Sequence, residues 1–305
     1  MIATRKPIVV VGSVTMDLVT RASQIPCVGQ TLIGTGFHTT PGGKGANQAV
    51  AAARLGYPVA MVAKVGDDPY GTALLKNLAE AGVQTDAMEQ VAGSSGIASI
   101  FLADSSENAI VVVPGANGNM DRATIDAHAA IIRAAGMVLC QLEIPIDTLA
   151  YTTAMCAEAR VPVMLDPAPA AALPDAVWKQ IAWFTPNETE AAFYLRDGAR
   201  TEDAADALLE RGVRGVVLKR GSEGAYLAVR GKGAWVPPFA VRAVDTIAAG
   251  DCFNGAFAVA LLEGGDPWQA ARFANAAAAI CVTRRGAQAA MPARAEVDTF
   301  IADRT

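Results

Sequence analysis

The sequence predicts an α/β fold of three layers: a mostly parallel sheet with helices on both faces, plus a small β-sheet lid. Three observations carry this expectation. Apolar runs of strand length, such as Ile8-Val9-Val10-Val11, are unbroken, as in strands buried on both faces. From Met120 onward, strand-like runs alternate with helical patterns, the signature of a parallel sheet. Alanine carries much of the 52% apolar content and aromatics make up only 6%, which suits close packing of helices on a sheet.

Taken in order, strand 8–11 ends at Gly12-Ser13, and Asp17 follows. Residues 18–41 are rich in Thr and Gly and have no helical period. Weak alternation around Leu18-Val19-Thr20, with Thr31-Leu32-Ile33 and Gly36–Thr39, predicts short strands of a second sheet. Pro41–Gln48 opens an alanine-rich helix that stops at Gly56. Strand 59–65 and a helix at 71–81, capped by Gly82, come next. Residues 97–103 and 109–113 read as a hairpin about Asp104-Ser105-Ser106-Glu107-Asn108, and this insertion is expected to join the small sheet. Helix 121–134 precedes strand 137–141, and helix 147–159 precedes strand 161–165. A helix near 175–181 precedes Trp183-Phe184-Thr185, helix 188–195 follows it, and helix 201–211 precedes strand 213–219. An apolar extended run, Trp235–Val244, leads to Asp245–Gly255, and a helical pattern spans Ala256–Glu263. With no linker and no repeat, residues 1–305 read as one Rossmann-like α/β domain, its lid formed by insertions at about 13–41 and 93–114.

Composition narrows the function. A formal charge of −5 without a basic run argues against nucleic acid as partner. The five cysteines, Cys27, Cys140, Cys156, Cys252 and Cys281, are widely spaced and form no Cys-x-x-Cys pair. They read as reduced thiols of a cytoplasmic protein, not as a disulfide framework or zinc site. The short segment Met1–Pro7 runs directly into a strand, so no signal peptide is expected, and no apolar run reaches membrane-spanning length. With only His38 and His128 present, a histidine-based hydrolase or multi-histidine metal site is disfavoured.

Two stretches stand out. In the first, Gly42, Gly43, Gly45 and Ala46 allow close approach of a ligand, while Lys44 and Asn47 add polar groups. It is not a Walker loop, because His38 stands where the first Gly belongs and Gly45 follows the Lys. A plain Gly-rich helix start is the alternative. In the second, Ala248-Ala249-Gly250 precede a helix whose first amides point outward as an anion site, yet Asp251 sits inside it. Asp251 is either an acid favoured by the helix dipole or a base that takes a proton from a hydroxyl attacking a phosphate. Polar residues also follow most strands: Asp17, Glu143, Asp166, Asn187 with Glu190, and Gly221–Gly224. Each alone reads as a turn or cap, Asn187 above all; together they suggest one shared cleft.

Gly42–Asn47 and Asp245–Gly255 resemble the two signatures of the ribokinase-like (PfkB) sugar kinases. Gly12–Asp17, Thr185–Glu190 and Arg284–Ala287 match in the right order, so the resemblance covers essentially the whole chain. It implies that Asp17, Gly42, Gly43, Lys44, Asn47 and Glu143 hold a sugar. Asp251 would be the base, with the amides of Ala249, Gly250 and Asp251 as an anion hole. ATP would meet Asn187, Lys219, Arg220, Gly221, Ser222, Glu223, Gly224 and Gly250, with Asn275 near the adenine. Asn187 and Glu190 would organise Mg²⁺. A K⁺ ion would take Asp245 and the carbonyls of Ile247, Val282, Arg285 and Ala287. The lids of two copies would clasp each other in a homodimer. Within the family, the Gly42–Asn47 form with Glu143 implies D-ribose as acceptor at its 5-hydroxyl. Deoxyribose, a ketohexose, 2-keto-3-deoxygluconate or a nucleoside is the alternative acceptor, and a non-catalytic sugar sensor a remoter one. Two departures are notable: Lys219-Arg220 stands where uncharged residues are common, and Cys252 where Thr is common.

Overall fold

The computed structural model describes residues 5–105, 107–195 and 200–304. Residues 1–4 of the N-terminal segment and Ser106 of the expected turn lie outside them. The strands are β1 Ile8–Val11, β2 Thr15–Ala22, β3 Gly36–Gly42, β4 Val59–Gly66, β5 Met88–Val91, β6 Gly96–Ala103 and β7 Asn108–Val113. They continue with β8 Met137–Cys140, β9 Val163–Leu165, β10 Ile181–Phe184, β11 Gly215–Lys219, β12 Ala225–Val229 and β13 Lys232–Val236. Nine strands form one sheet in the order β13-β12-β11-β10-β9-β8-β1-β4-β5. From β5 to β11 all neighbours are parallel, and the hairpin of β12 and β13 closes the far edge antiparallel.

The unbroken apolar runs are explained by burial on both faces. In β1, Ile8 and Val10 face one core, shared with helices Lys44–Arg54 and Ala249–Leu262. Val9 and Val11 face the other, with helices Ile146–Ala159 and Thr201–Glu210. The chain runs from β1 outward to β4 and β5, then returns to β8 and builds the opposite half. That reversal beside β1 opens a crevice at the carboxyl ends of the strands. Helices Lys44–Arg54 and Ala249–Leu262 flank the crevice and pack almost backbone to backbone. A Cβ on Gly255 would lie 2.7 Å from the Ala51 Cβ and 2.8 Å from the Gln48 carbonyl oxygen.

The second sheet has the order β3-β2-β6-β7, with β2 and β6 parallel and the outer pairs antiparallel. Its strands come from two stretches of the chain, residues 15–42 and 96–113.

Several element expectations need correction. Residues 31–33 form no strand. Helix 121–134 is two helices, Arg122–Ala127 and Ala129–Ala134, broken at His128. The run at 235–244 is strand only to Val236, because Pro237 and Pro238 have no N–H for a ladder. The following helix begins at Ala249, one turn and more before the apolar pattern at 256. Helix Pro267–Val282, started by Asp266 and Pro267, and strands β5 and β12 also lie outside the sequence reading. Among the described residues no helix is long and apolar enough to cross a membrane.

Candidate active site

The site is assembled at the start of two helices. Helix Ala249–Leu262 is preceded by Ala248 in the left-handed region (φ 58°), a strained position for a residue with a Cβ. This turn places Ala249, Gly250 and Asp251 in the helix's first turn. Asp251 is 5% exposed. Its Oδ2 accepts from Asn47 Nδ2 at 2.9 Å and its Oδ1 from Gln48 Nε2 at 3.1 Å. Burial pushes its carboxyl up to about 6. Lys44 opposes the rise and Asp166 adds to it.

The first Gly-rich stretch starts helix Lys44–Arg54. Gly43 has φ 90°, and a Cβ there would lie 2.8 Å from the Thr15 amide nitrogen. Gly42 lies under the Asp17 carboxylate, where a Cβ would come within 2.5 Å of Oδ2. Glu143 Oε2 accepts from the Lys44 amide at 3.0 Å and from the Ser13 hydroxyl, so it caps this helix from outside. Burial pushes the Asp17 carboxyl up to about 6; Thr15 donates to it and opposes the rise, while Glu143 adds to it. Lys44 is itself largely buried, which pulls its ammonium down. The carboxylates of Asp251, Asp166, Glu143 and Glu190 outweigh that and hold it above the usual lysine range. Of the expected sugar ligands, Gly42 lies against the Asp17 carboxylate, Glu143 accepts from the Lys44 amide, and the Asn47 amide donates to the Gly43 carbonyl, so they meet at this one turn.

On the other side, Lys219 at the end of β11 pairs with Asp166 Oδ1 at 2.9 Å. A Cβ on Gly250 would lie 3.4 Å from Lys219 Nζ, so this ammonium stands over the helix start. Asn187 and Glu190 form a reciprocal capping box. The Asn187 amide donates to Glu190 Oε2 and the Glu190 amide to Asn187 Oδ1, each at 2.8 Å. The Asn187–Lys219 bridge brings that cap beside β11. Arg220 is held between Glu188 and Glu223. Its charge is thus spent on the edge of the 221–224 turn, in which Gly221 and Gly224 both have positive φ. Asn275 donates to the carbonyls of Val236 and Pro237 and fixes the loop after β13.

The loops expected to hold K⁺ do meet. Asp245 Oδ1 accepts from the Ile247 amide at 3.0 Å and Oδ2 from the Gly286 amide at 2.9 Å. The Val282 carbonyl already accepts the amides of Val244 and Asp245. Among the described residues no three His, Cys, Asp or Glu side chains converge as a metal cage. Cys252 is buried, and its thiol is pushed up by contact with Cys281 and by burial, the setting of an inert cysteine.

Asp166, Gln48, Gln141 and Gln288 are the site residues the sequence reading did not assign. Asp166 was visible only as one strand-end acid among several. The glutamines carried no signal, since their spacing matches no ligand pattern. Gln288 Nε2 donates to Asn47 Oδ1 at 3.1 Å, and so steadies the residue that holds Asp251.

Residues 5–294 match the family described as pfkB family carbohydrate kinase. The chain is 45% identical over 295 residues to the ribokinase of Bacillus subtilis (strain 168), covering 96% of this chain and 99% of that one. The ribokinase of Thermotoga maritima superposes with a TM-score of 0.91 at 38% identity, covering 97% and 99% of the two chains. The Arabidopsis thaliana ribokinase complexed with ribose and ATP gives 0.93 at 34% identity, with 98% and 99% coverage. On a match that runs from Arg5 to Arg294, the chain belongs to the pfkB family of carbohydrate kinases.

Proposed function

We propose that the chain transfers the γ-phosphoryl group of ATP to the 5-hydroxyl of D-ribose, giving D-ribose 5-phosphate and ADP. One observation carries this reading. A buried carboxylate, Asp251, lies at the start of a helix and is hydrogen-bonded to Asn47 of the turn that gathers Asp17, Lys44 and Glu143. A proton acceptor is thereby set between an anion site and a set of hydroxyl-binding groups. The ribose-bound relative and the Bacillus subtilis relative support ribose as acceptor.

In this reading Asp17, Gly42, Gly43, Lys44, Asn47 and Glu143 hold the sugar hydroxyls. Asp251 takes the proton of the 5-hydroxyl as its oxygen attacks the γ-phosphorus and ADP departs. The amides of Gly250 and Asp251, with Lys219 beside Gly250, face the charge on the transferred group; the Ala249 amide, expected to join them, donates to the Thr246 carbonyl at 3.3 Å and would have to turn from it. Gly221, Ser222, Glu223 and Gly224 line the nucleotide, Arg220 steadies that turn, and Asn275 shapes the wall near the adenine. Asn187 and Glu190 use each other's polar atoms, which fits Mg²⁺ held through water and the ATP phosphates. Bound there, Mg²⁺ supplies charge neutralisation to the phosphates. K⁺ would take Asp245 and the carbonyls of Ile247, Val282, Arg285 and Ala287, with Val282 the weakest donor because two amides already occupy it. Residues 1–305 act as one domain in which the four-stranded sheet is a lid over the sugar. The outer strand β7 exposes Ile110, Val111, Val112 and Val113, which supports a homodimer closed lid to lid. Five free thiols, four of them buried, support a cytoplasmic setting.

Coupled ADP release over a sugar panel tests the acceptor: ribose is expected to give the highest kcat/KM, and a ranking with deoxyribose or a ketohexose first overturns ribose. Asp251→Asn is expected to lose turnover by about 10²–10⁴-fold while still binding ribose and ATP in calorimetry. A base is active when ionised, so wild-type turnover is expected to fall as the pH drops through about 6. At equal ionic strength, activity in KCl is expected to exceed that in NaCl, and Asp245→Ala to abolish the difference. Light scattering is expected to give the mass of two chains, and Val111→Lys that of one.

A further inference from the structure

The Gln48 side chain is buried between two acids and is used completely. Its Nε2 has two hydrogens: one goes to Asp251 Oδ1 at 3.1 Å, the other to Asp166 Oδ2 at 2.9 Å. Its carbonyl accepts from Gln141 Nε2 at 2.7 Å. The amide cannot be flipped without setting its oxygen against both carboxylates and its NH₂ against the donor of Gln141. All four residues are buried, Gln141 and Gln48 almost completely, so water does not compete for these bonds.

The bonds form a chain that leads back to the helix start. Asp251 is joined through Gln48 to Asp166, Asp166 through its other oxygen to Lys219, and Lys219 stands over Gly250, the chain neighbour of Asp251. One amide thus ties the position of the candidate base to that of the cation above the candidate anion hole. It rides on the helix whose backbone is pressed against Gly255, which leaves it little room to move.

We infer that Gln48 is a positioning residue for phosphoryl transfer, holding Asp251 and the Asp166–Lys219 pair in fixed relation. This rests on the reading of Asp251 as the base. The groups facing Asp251 are Lys44, Asn47 and Gln48 from the first helix, Asp166 from the end of β9, and the thiols of Cys252 on its own helix and Cys281 on helix Pro267–Val282, with Lys219 beyond Asp166. Lys44 and the two amides favour the ionised carboxylate; Asp166 and burial oppose it. Gln48 therefore also keeps the base available at neutral pH: without its hydrogen bond the protonated form gains, and the acid limb of the rate profile moves to higher pH.

The test is Gln48→Met, which keeps the length and removes both donors. Its kcat is expected to fall by about 10–100-fold, with KM for ribose and for ATP changed less than about threefold. The acid limb of kcat against pH is expected to rise by about one unit. Gln141→Met removes only the bond that orients Gln48; it is expected to give a smaller loss with the same direction of pH shift, and it carries the test if Gln48→Met does not fold. Unchanged kcat, or a loss with an unmoved acid limb, in the folded variant overturns the inference. Asp251→Asn separates the two readings: if it is inactive while Gln48→Met behaves as wild type, only the role of Gln48 fails. If Asp251→Asn turns over normally, the base assignment itself fails.

Discussion

A carboxylate buried at a helix start is an unfavourable element unless donors surround it. Here the Asp251 carboxylate receives one amide hydrogen from Asn47 and one from Gln48, and Lys44 lies close enough to offset part of the burial cost. Much of the remaining crevice follows from meeting this demand. Asn47 is itself held by Gln288, and Gln288 by Asn77; Gln48 is held by Gln141. Burial still outweighs these donors and leaves the carboxyl raised to about 6.

The donors reach Asp251 because two helices touch at small residues. Gly255 sits on Ala51 and the Gln48 carbonyl, with no space for a larger side chain. Alanine along helix Lys44–Arg54 serves the same closeness. At its N-terminus the helix needs Gly43 in the left-handed region and Gly45 against Ser13, since a Cβ at either would strike backbone. The glycines thus act through packing as well as through access for a ligand. The second sheet is a different kind of structure: β7 is exposed along most of its length and carries four large apolar residues, a surface suited to being covered.

Most of the architecture could be read from local pattern. Apolar runs marked β1, β4 and β8, that of β4 interrupted only by Lys64, and turn residues marked the β6–β7 hairpin. The errors fell where a local signal was cut short by a non-local or backbone cause. Pro237-Pro238 ended a run that hydropathy alone extended to Val244. The first turn of helix Ala249–Leu262 includes Gly250 and Asp251, residues of poor intrinsic helix propensity, so the apolar pattern alone starts the helix later. Arg220, expected beside the ATP phosphates, forms ion pairs with Glu188 and Glu223 at the 221–224 turn, partners 32 positions and 3 positions away that local pattern does not reveal.

The fold class, the family and the identity of the polar groups at the strand ends are legible in the order of residues alone. Those follow from periodicity, turn chemistry and ordered motifs, which are all local in the chain. Which of those groups share a hydrogen bond is set by how the folded chain packs. Asp166 and Gln48 are separated by 118 positions, and Gln48 and Asp251 by 203. No spacing rule links residues so far apart. Their meeting depends on the reversal of strand order beside β1 and on the close contact of two helices.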